Sequence, residues 1–160
     1  MKLYHGSLDI VESPKIFLPN RRLDYGNGFY TTTSVQQAKE WAKRKMKQSV
    51  PIAYVNVYEI DKNSIDDMSV LNFDGPSDEW IDFVMKNRQD ETFIHDYDIV
   101  YGPVANDRVY VQFALYEQGF IDKETLLKEL KVYDLVDQML FHTDKSLMSL
   151  KYIKHFEVRL

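Results

Sequence analysis

The sequence contains no cysteine, which excludes disulfide bonds, thiolate metal sites and a cysteine nucleophile. It also has no stretch that approaches the roughly 18 uninterrupted apolar residues of a membrane-spanning helix. Its first ten residues, MKLYHGSLDI, lack the positively charged segment and the long apolar run of a secretory signal. We therefore expect a soluble cytoplasmic protein with no membrane partner.

The signature motifs of several common enzyme classes are missing as well. There is no P-loop, no GxGxxG after a predicted strand, no HExxH and no GxSxG. The four histidines are scattered without the spacing of a zinc site. The acidic pairs lack the glycine-containing pattern of a calcium loop, so we expect no bound metal.

The composition is that of a folded protein. The 160 residues are 44% hydrophobic and 14% aromatic, which is too rich in core-forming side chains for a disordered chain, and the length fits a single domain over residues 1–160. The net charge of −5 disfavours nucleic acid as a partner. Residues 61–98 hold eleven acidic and three basic residues, whereas residues 39–47 hold five basic residues and one acidic. Both runs are interpreted as solvated faces, with a basic helix near an anionic ligand as the alternative for the second.

Short strands and irregularly placed helices alternate in the predicted secondary structure, which indicates an α+β fold. β-branched and aromatic residues predict strands at residues 2–4, 29–32, 52–58, 99–101, 139–141 and 155–160. Capping residues predict helices that begin after Ser34, Ser77, Asn106, Asp122 and Thr143. We expect the first helix to run from Val35 to about Gln48, with Gln37 completing a capping box, and the last to hold Leu147 and Leu150.

Two segments place a chemically useful side chain beside glycine. His5 follows the first predicted strand and precedes Gly6, whose missing side chain lets the backbone approach a ligand closely; a purely structural histidine is the alternative. Tyr30 follows the loop 26–28, and Trp41 lies eleven residues later on the next predicted helix. Two large rings on adjoining elements can sandwich a flat heterocycle or share a core position.

A third segment, DQMLFHT, covers residues 137–143. Gln138 opens an otherwise apolar strand, and the two-residue period of a strand puts it on the same face as Leu140 and His142. A polar residue in this position is either an edge residue or a site residue, and the spacing leaves both interpretations open.

Taken in order, LYHGS, GNGFYTTT…AKEWA and DQMLFHTDKSLMSLKYI resemble the ADP-ribosyltransferase superfamily, in its diphtheria-toxin and poly(ADP-ribose) polymerase branch with a His-Tyr-Glu triad. The sequence is most similar to a small bacterial family, domain of unknown function 3990, through YDIVYGPVANDR and the final DQ…FHT…L…LKYI. The resemblance implies an α+β fold in which two small facing β-sheets form a split cleft with peripheral helices. It also implies NAD as the substrate, with its nicotinamide half in that cleft.

The resemblance gives individual residues a role. His5 matches the triad histidine that hydrogen-bonds the adenosine ribose, and Gly6 matches the glycine whose backbone holds the nicotinamide amide. Tyr30 matches the triad tyrosine, and Trp41 falls where a second ring closes the nicotinamide stack. The residues implied to bind NAD are therefore His5, Gly6, Ser7, Tyr30 and Trp41.

Two positions depart from the family pattern. Ala38 falls where the polymerases have a serine that touches the nicotinamide amide. Gln138 falls where the catalytic glutamate stands, so the implied catalytic residues are Gln138, Tyr30 and His5. A glutamine can accept a hydrogen bond from a ribose hydroxyl but brings no charge to the cationic sugar, and that loss costs on the order of 10²–10³ in rate. Slow mono-ADP-ribosylation, an unusual acceptor and no turnover all stay open.

The function implied by the resemblance is NAD-dependent mono-ADP-ribosyl transfer, a glycosyltransferase reaction that releases nicotinamide. The acceptor is a macromolecule, and the negative net charge favours a protein over a nucleic acid. Similarity to small bacterial toxins implies an antitoxin partner. The alternative is a catalytically silent NAD- or ADP-ribose-binding or protein-interaction module, for which Gln138 is the main argument.

Overall fold

The computed structural model describes residues 1–16, 18 and 23–160, and their strands and helices alternate irregularly in an α+β fold. The strands are β1 (Lys2–Ser7), β2 (Phe29–Thr32), β3 (Ile52–Ile60), β4 (Val70–Asn72), β5 (Ile99–Pro103), β6 (Asp137–Phe141) and β7 (Leu150–Arg159). The helices are α1 (Val35–Lys45), α2 (Asp78–Gln89), α3 (Asp107–Glu117), α4 (Lys123–Lys131) and α5 (Asp144–Leu147), and a 3-10 turn covers Lys62–Ile65.

The described strands form one seven-stranded sheet in the order β4-β5-β6-β2-β1-β3-β7. The join between β2 and β1 is narrow, because Tyr4 and Thr32 are the only register partners there in the described part of the chain. By contrast, β1 pairs with β3 along its whole length. The join divides the sheet into one half formed by β1, β3 and β7 and another formed by β2, β4, β5 and β6. Hydrogen bonds connect the two halves into one continuous sheet. The two separate facing sheets that the resemblance implies are therefore not confirmed and stay a prediction.

Three clusters of buried side chains cover the two faces of this sheet. On one face, Leu140 packs with Trp80 and other residues of α2, α3 and α4, and Ala38 of α1 packs over the other half. On the opposite face, Tyr58 of β3 packs with Phe141 of β6 in a cluster that draws on both halves. Apolar burial therefore stabilises the sheet at the join, where backbone pairing is sparse.

The helices begin where the capping residues predict. Ser34, Ser77, Asn106, Asp122 and Thr143 each accept a hydrogen bond from the backbone N–H three residues later. Each bond satisfies an N–H group that the helix itself leaves without a partner. These five predicted helix starts are therefore confirmed.

Several other boundaries differ from the predicted ones. The first helix ends at Lys45, earlier than expected. Gln37 does not complete a capping box, because the backbone N–H of Ser34 donates to the hydroxyl of Thr32 instead. Leu150 begins β7 rather than ending α5, because its backbone pairs with Ile60 of β3.

Candidate functional site

The three residues that the resemblance implies to be catalytic lie on three neighbouring strands. His5 is on β1, Tyr30 on β2 and Gln138 on β6, and these strands are adjacent in the order β6-β2-β1. Since neighbouring strands lie about 4.8 Å apart, β1 and β6 are separated by about 10 Å. The fold thus brings three strands from both ends of the chain together at the centre of the sheet, beside the narrow join. Their side chains do not share one face, because the His5 ring packs on Phe29 of one cluster whereas Tyr30 packs against the cluster on the helix-covered face.

His5 lies inside β1, not after its end as the sequence analysis predicted. Its Nδ1 atom is 2.6 Å from the backbone carbonyl oxygen of Tyr30, and because a carbonyl only accepts, Nδ1 carries the hydrogen. Burial, followed by the charge of Lys45, lowers the pKa of His5 to about 4. The ring is therefore neutral near pH 7, with Nε2 as a hydrogen-bond acceptor. Its ring centroid lies 4.3 Å from that of Phe29, which fixes the plane of the imidazole.

Tyr30 is held by its own hydroxyl group. The hydroxyl donates to the carbonyl oxygen of Gly26 at 2.6 Å and accepts from the backbone N–H of Tyr25 at 3.0 Å. Gly26 has a φ of 84°, a conformation that favours glycine, and it turns the chain so that its carbonyl meets the phenol. Burial raises the pKa of Tyr30 well above its ordinary value. The hydroxyl is thus a neutral structural group, and the half-buried ring is what Tyr30 can offer a ligand.

Helix α1 lies directly against the backbone of Gly6. A side chain at Gly6 would overlap the carbonyl oxygen of Ala38 and come within 2.7 Å of the nitrogen of Ala42. From the last turn of α1, the ammonium group of Lys45 donates to the Gly6 carbonyl oxygen at 2.9 Å. The Gly6 carbonyl is therefore a hydrogen-bond acceptor that side chains of α1 can reach.

Trp41 and Ser7 are the other two residues implied to bind NAD. Trp41 is half-buried on α1 and, among the described residues, belongs to none of the three buried clusters. Its ring does not contact that of Tyr30 in the described part of the chain, so the two rings do not share a core position. Ser7 ends β1, and its hydroxyl accepts from the backbone N–H of Asp9 at 3.2 Å. Trp41 is therefore free of core packing, whereas Ser7 supports the turn after β1.

Gln138 is 3% exposed and its side-chain amide is part of a buried polar network. Its Nε2 atom donates to the carbonyl oxygen of Pro103 at 3.2 Å. The Tyr25 hydroxyl donates to the same carbonyl at 2.9 Å and accepts from the Trp80 indole N–H at 2.8 Å. Gln138 and Thr32 are register partners on adjacent strands, and Thr32 is in turn the partner of Tyr4. The amide thus points to the helix-covered face that Tyr30 and α1 also occupy.

Lys45 and Tyr25 also belong to this arrangement, and no sequence pattern indicated either of them. Lys45 belongs to the basic run 39–47, whose pattern indicated a solvated face, and its contact with Gly6 depends on how α1 packs on β1. The neighbouring Arg44 pairs with Asp107 at the start of α3 at 3.3 Å, with both side chains largely exposed. The run is therefore mostly a solvated face, from which one ammonium group reaches the candidate site.

The described residues include no group of three or more histidine, aspartate or glutamate side chains placed to hold a metal ion. None of the described helices is both long and apolar enough to cross a membrane.

A family model described as "Protein of unknown function (DUF3990)" matches residues 1–152. No curated protein matches the sequence.

Proposed function

This chain belongs to the DUF3990 family of proteins of unknown function, and we propose that it binds NAD and transfers a single ADP-ribose to a macromolecular acceptor. The observation that carries the proposal is the placement of His5, Tyr30 and Gln138 on three adjacent strands beside the join. These residues are far apart in sequence, and they lie in the three motifs that carry the ADP-ribosyltransferase resemblance. In this proposal the two sheet halves form the split cleft of that superfamily.

The adenosine side of NAD would be held by His5. Its Nδ1–H is committed to the Tyr30 carbonyl, which leaves Nε2 as an acceptor for a ribose hydroxyl. The lowered pKa of about 4 supports this role, because a protonated ring would have no lone pair to offer.

The nicotinamide ring would lie between Tyr30 and Trp41, with its amide N–H donating to the Gly6 carbonyl. The half-buried ring of Trp41 belongs to none of the three buried clusters of the described residues, so it can contact a ligand. Offset stacking of flat rings contributes about 0.5–1.5 kcal/mol beyond apolar burial. The Lys45 ammonium now donates to the Gly6 carbonyl, and it would move toward the NAD phosphates, where a cation is favoured.

In the reaction, the bond between C1′ of the ribose and the nicotinamide nitrogen breaks, and its electron pair leaves with nicotinamide. A nucleophilic atom of the acceptor then bonds to C1′ and loses its proton to solvent. Positive charge develops on the sugar, and a negative group near the ribose would stabilise it. Gln138 supplies an amide dipole in place of that charge, so the proposed transfer is slow. The net charge of −5 favours a protein acceptor, and an antitoxin remains a partner proposed by resemblance.

A catalytically silent binding module is the second candidate, and one observation favours it. Gln138 is 3% exposed and its amide already donates to Pro103, so it must turn away from a buried network to meet a ribose. A module that binds NAD or ADP-ribose without turnover needs no such movement.

An NAD titration followed by tryptophan fluorescence tests the binding step. Trp41 is half-buried, whereas Trp80 is fully buried and hydrogen-bonded to Tyr25, so NAD should quench Trp41 alone. The matched control is Trp41→Phe, in which the NAD-dependent change should disappear while the Trp80 signal stays. If the wild-type fluorescence does not change at millimolar NAD and calorimetry detects no heat of binding, the protein does not bind NAD.

Labelled NAD incubated with the protein and a cell lysate then separates the two candidates. Transfer of label to a macromolecule supports the transferase and shows the size of the acceptor. NAD binding without transfer or nicotinamide release supports the silent module.

A further inference from the structure

A cleft lies between α2 and the segment 93–97. Its volume is about 530 Å³, and its lining includes Phe83, Phe93 and Tyr97 but none of His5, Tyr30 or Gln138. This volume is within the range of roughly 300–1,000 Å³ that small-molecule sites occupy. The cleft is therefore large enough for a small ligand, and its described lining includes none of the residues proposed to bind NAD.

Three aromatic rings form the walls of this cleft. The centroids of Phe83 and Phe93 lie 6.2 Å apart with their planes at 88°, and those of Phe83 and Tyr97 lie 6.4 Å apart at 76°. All three side chains are half-buried, so each contributes apolar surface to the cleft while part of it stays open to solvent. Phe93 and Tyr97 thus stand nearly perpendicular to Phe83, and the three rings form a partial cage.

The charges around the cage are mostly negative. Glu79, Asp82 and Asp96 line the cleft and are exposed, although Asp82 is paired with Lys123 at 2.6 Å. Lys86 also lines the cleft, and its ammonium group lies 4.6 Å from the centroid of the Phe93 ring. The chain thus already places a cation over one aromatic wall.

We propose that this cleft binds an organic cation of the alkylated-ammonium class. The negative faces of aromatic rings attract such a cation, and a quaternary ammonium group is favoured because its methyl groups lose little hydration on burial. Glu79 and Asp96 add attraction at the rim, and the incoming cation takes over the face of Phe93 that Lys86 now covers. The proposal does not depend on NAD binding.

Choline and its uncharged carbon analogue 3,3-dimethylbutan-1-ol are the probes that test it. The two have nearly the same shape, so a titration followed by ¹H–¹⁵N NMR isolates the effect of charge. We expect choline to shift amide signals of residues 79–97 and to bind about five-fold or more tightly than the alcohol. Equal binding of the two would mean an ordinary apolar cleft, and no binding of choline would equally overturn the proposal.

Four variants show which side chains of the cleft determine the affinity for choline. Phe93→Leu and Tyr97→Leu keep apolar volume but remove an aromatic face, so choline should bind several-fold more weakly. Lys86→Gln removes the competing cation, so choline should bind more tightly. Phe120→Leu removes an aromatic face from a side chain that is 72% exposed and outside the lining of the cleft, so it is the control and should leave affinity unchanged. Unchanged affinity in both Leu variants and in Lys86→Gln would overturn the assignment, even if one variant folds poorly.

A trimethyllysine peptide titrated beside choline distinguishes two sources of the same cation. Tighter binding of the peptide supports a modified protein side chain as the ligand, and tighter binding of choline supports a free small molecule.

Discussion

His5 is fixed in one tautomer by the Tyr30 carbonyl, and its folded-state pKa of about 4 lies below the ordinary value of 6.5. The unfolded chain therefore binds more protons between these values, so stability rises with pH across this window. The contribution is complete above pH 6.5 and is lost as the pH falls toward 4.

We expect the wild type to lose about 2–3 kcal/mol more than His5→Asn when the pH falls from 7 to about 4.5. The asparagine amide can still donate to the Tyr30 carbonyl but does not titrate, and His95, whose pKa is also lowered by burial, is present in both proteins. Urea denaturation at several pH values measures the difference. Parallel pH profiles would show that His5 is not held neutral by folding.

Gln138 is the residue on which turnover depends in the proposed function. Gln138→Glu adds the missing negative charge with almost no change in size, and should raise NAD turnover roughly ten-fold or more. The new carboxylate would face the Pro103 carbonyl in a buried position, so stability should fall by about 1–3 kcal/mol.

Gln138→Ala should lower turnover while leaving NAD affinity intact, because the group acts in the transition state. Nicotinamide release and melting temperature, measured for all three proteins, check both statements. Equal turnover in the three would mean that position 138 is not catalytic.

At the residue scale, the sequence indicated candidate site residues, and that they act as one site stays a prediction. The order of motifs predicted His5, Tyr30 and Gln138 as one site, and the strand order brings them onto neighbouring strands. The contact between Lys45 and Gly6 was not predictable, because it depends on the angle and depth at which α1 packs. The same holds for the bond from Gln138 to Pro103, which joins residues of two strands.

At the scale of the elements, the contact of α1 with β1 depends on the absence of a side chain at Gly6. A Cβ there would overlap the backbone of Ala38 and approach the backbone of Ala42, so the helix as a whole would have to shift. We expect Gly6→Ala to reduce the free energy of unfolding by about 2–3 kcal/mol.

Gly75→Ala is the matched control, because a Cβ at Gly75 meets nothing within 4 Å. It should change stability by no more than about 0.5 kcal/mol. Urea denaturation of the two variants beside the wild type gives both values. If Gly6→Ala were as stable as the wild type, the packing of α1 on β1 would have to be looser than described.

Helix starts were predictable because a cap uses groups within a few residues of one another, as at Ser77 and Asp122. The limits of the strands were less predictable, because a strand ends where the strand that pairs with it ends. β7 begins at Leu150 since it follows β3 to Ile60, and the three-residue β4 was not predicted because it exists only through parallel pairing with β5.

At the scale of the whole molecule, alternating strands and helices predicted the α+β class, which the fold confirms. The order of the strands was not predictable, since it depends on pairings between distant segments such as β2 with β6. The same is true of the narrow join, where one residue pair connects β1 and β2. Phe29, Tyr58 and Phe141 pack across that join, so the two halves share a core that periodicity along the chain could not indicate.

The two ends of the strand order affect how the protein behaves when it is concentrated. One end is β4, whose three residues are too few to recruit a strand from a neighbouring molecule. The other is β7, which is ten residues long but carries exposed charges at Lys151, Lys154, Glu157 and Arg159. A second molecule approaching either edge meets a short strand or a row of charges, and both oppose edge-to-edge growth into fibrous aggregates. Neutralising the two lysines would weaken this protection at the longer edge.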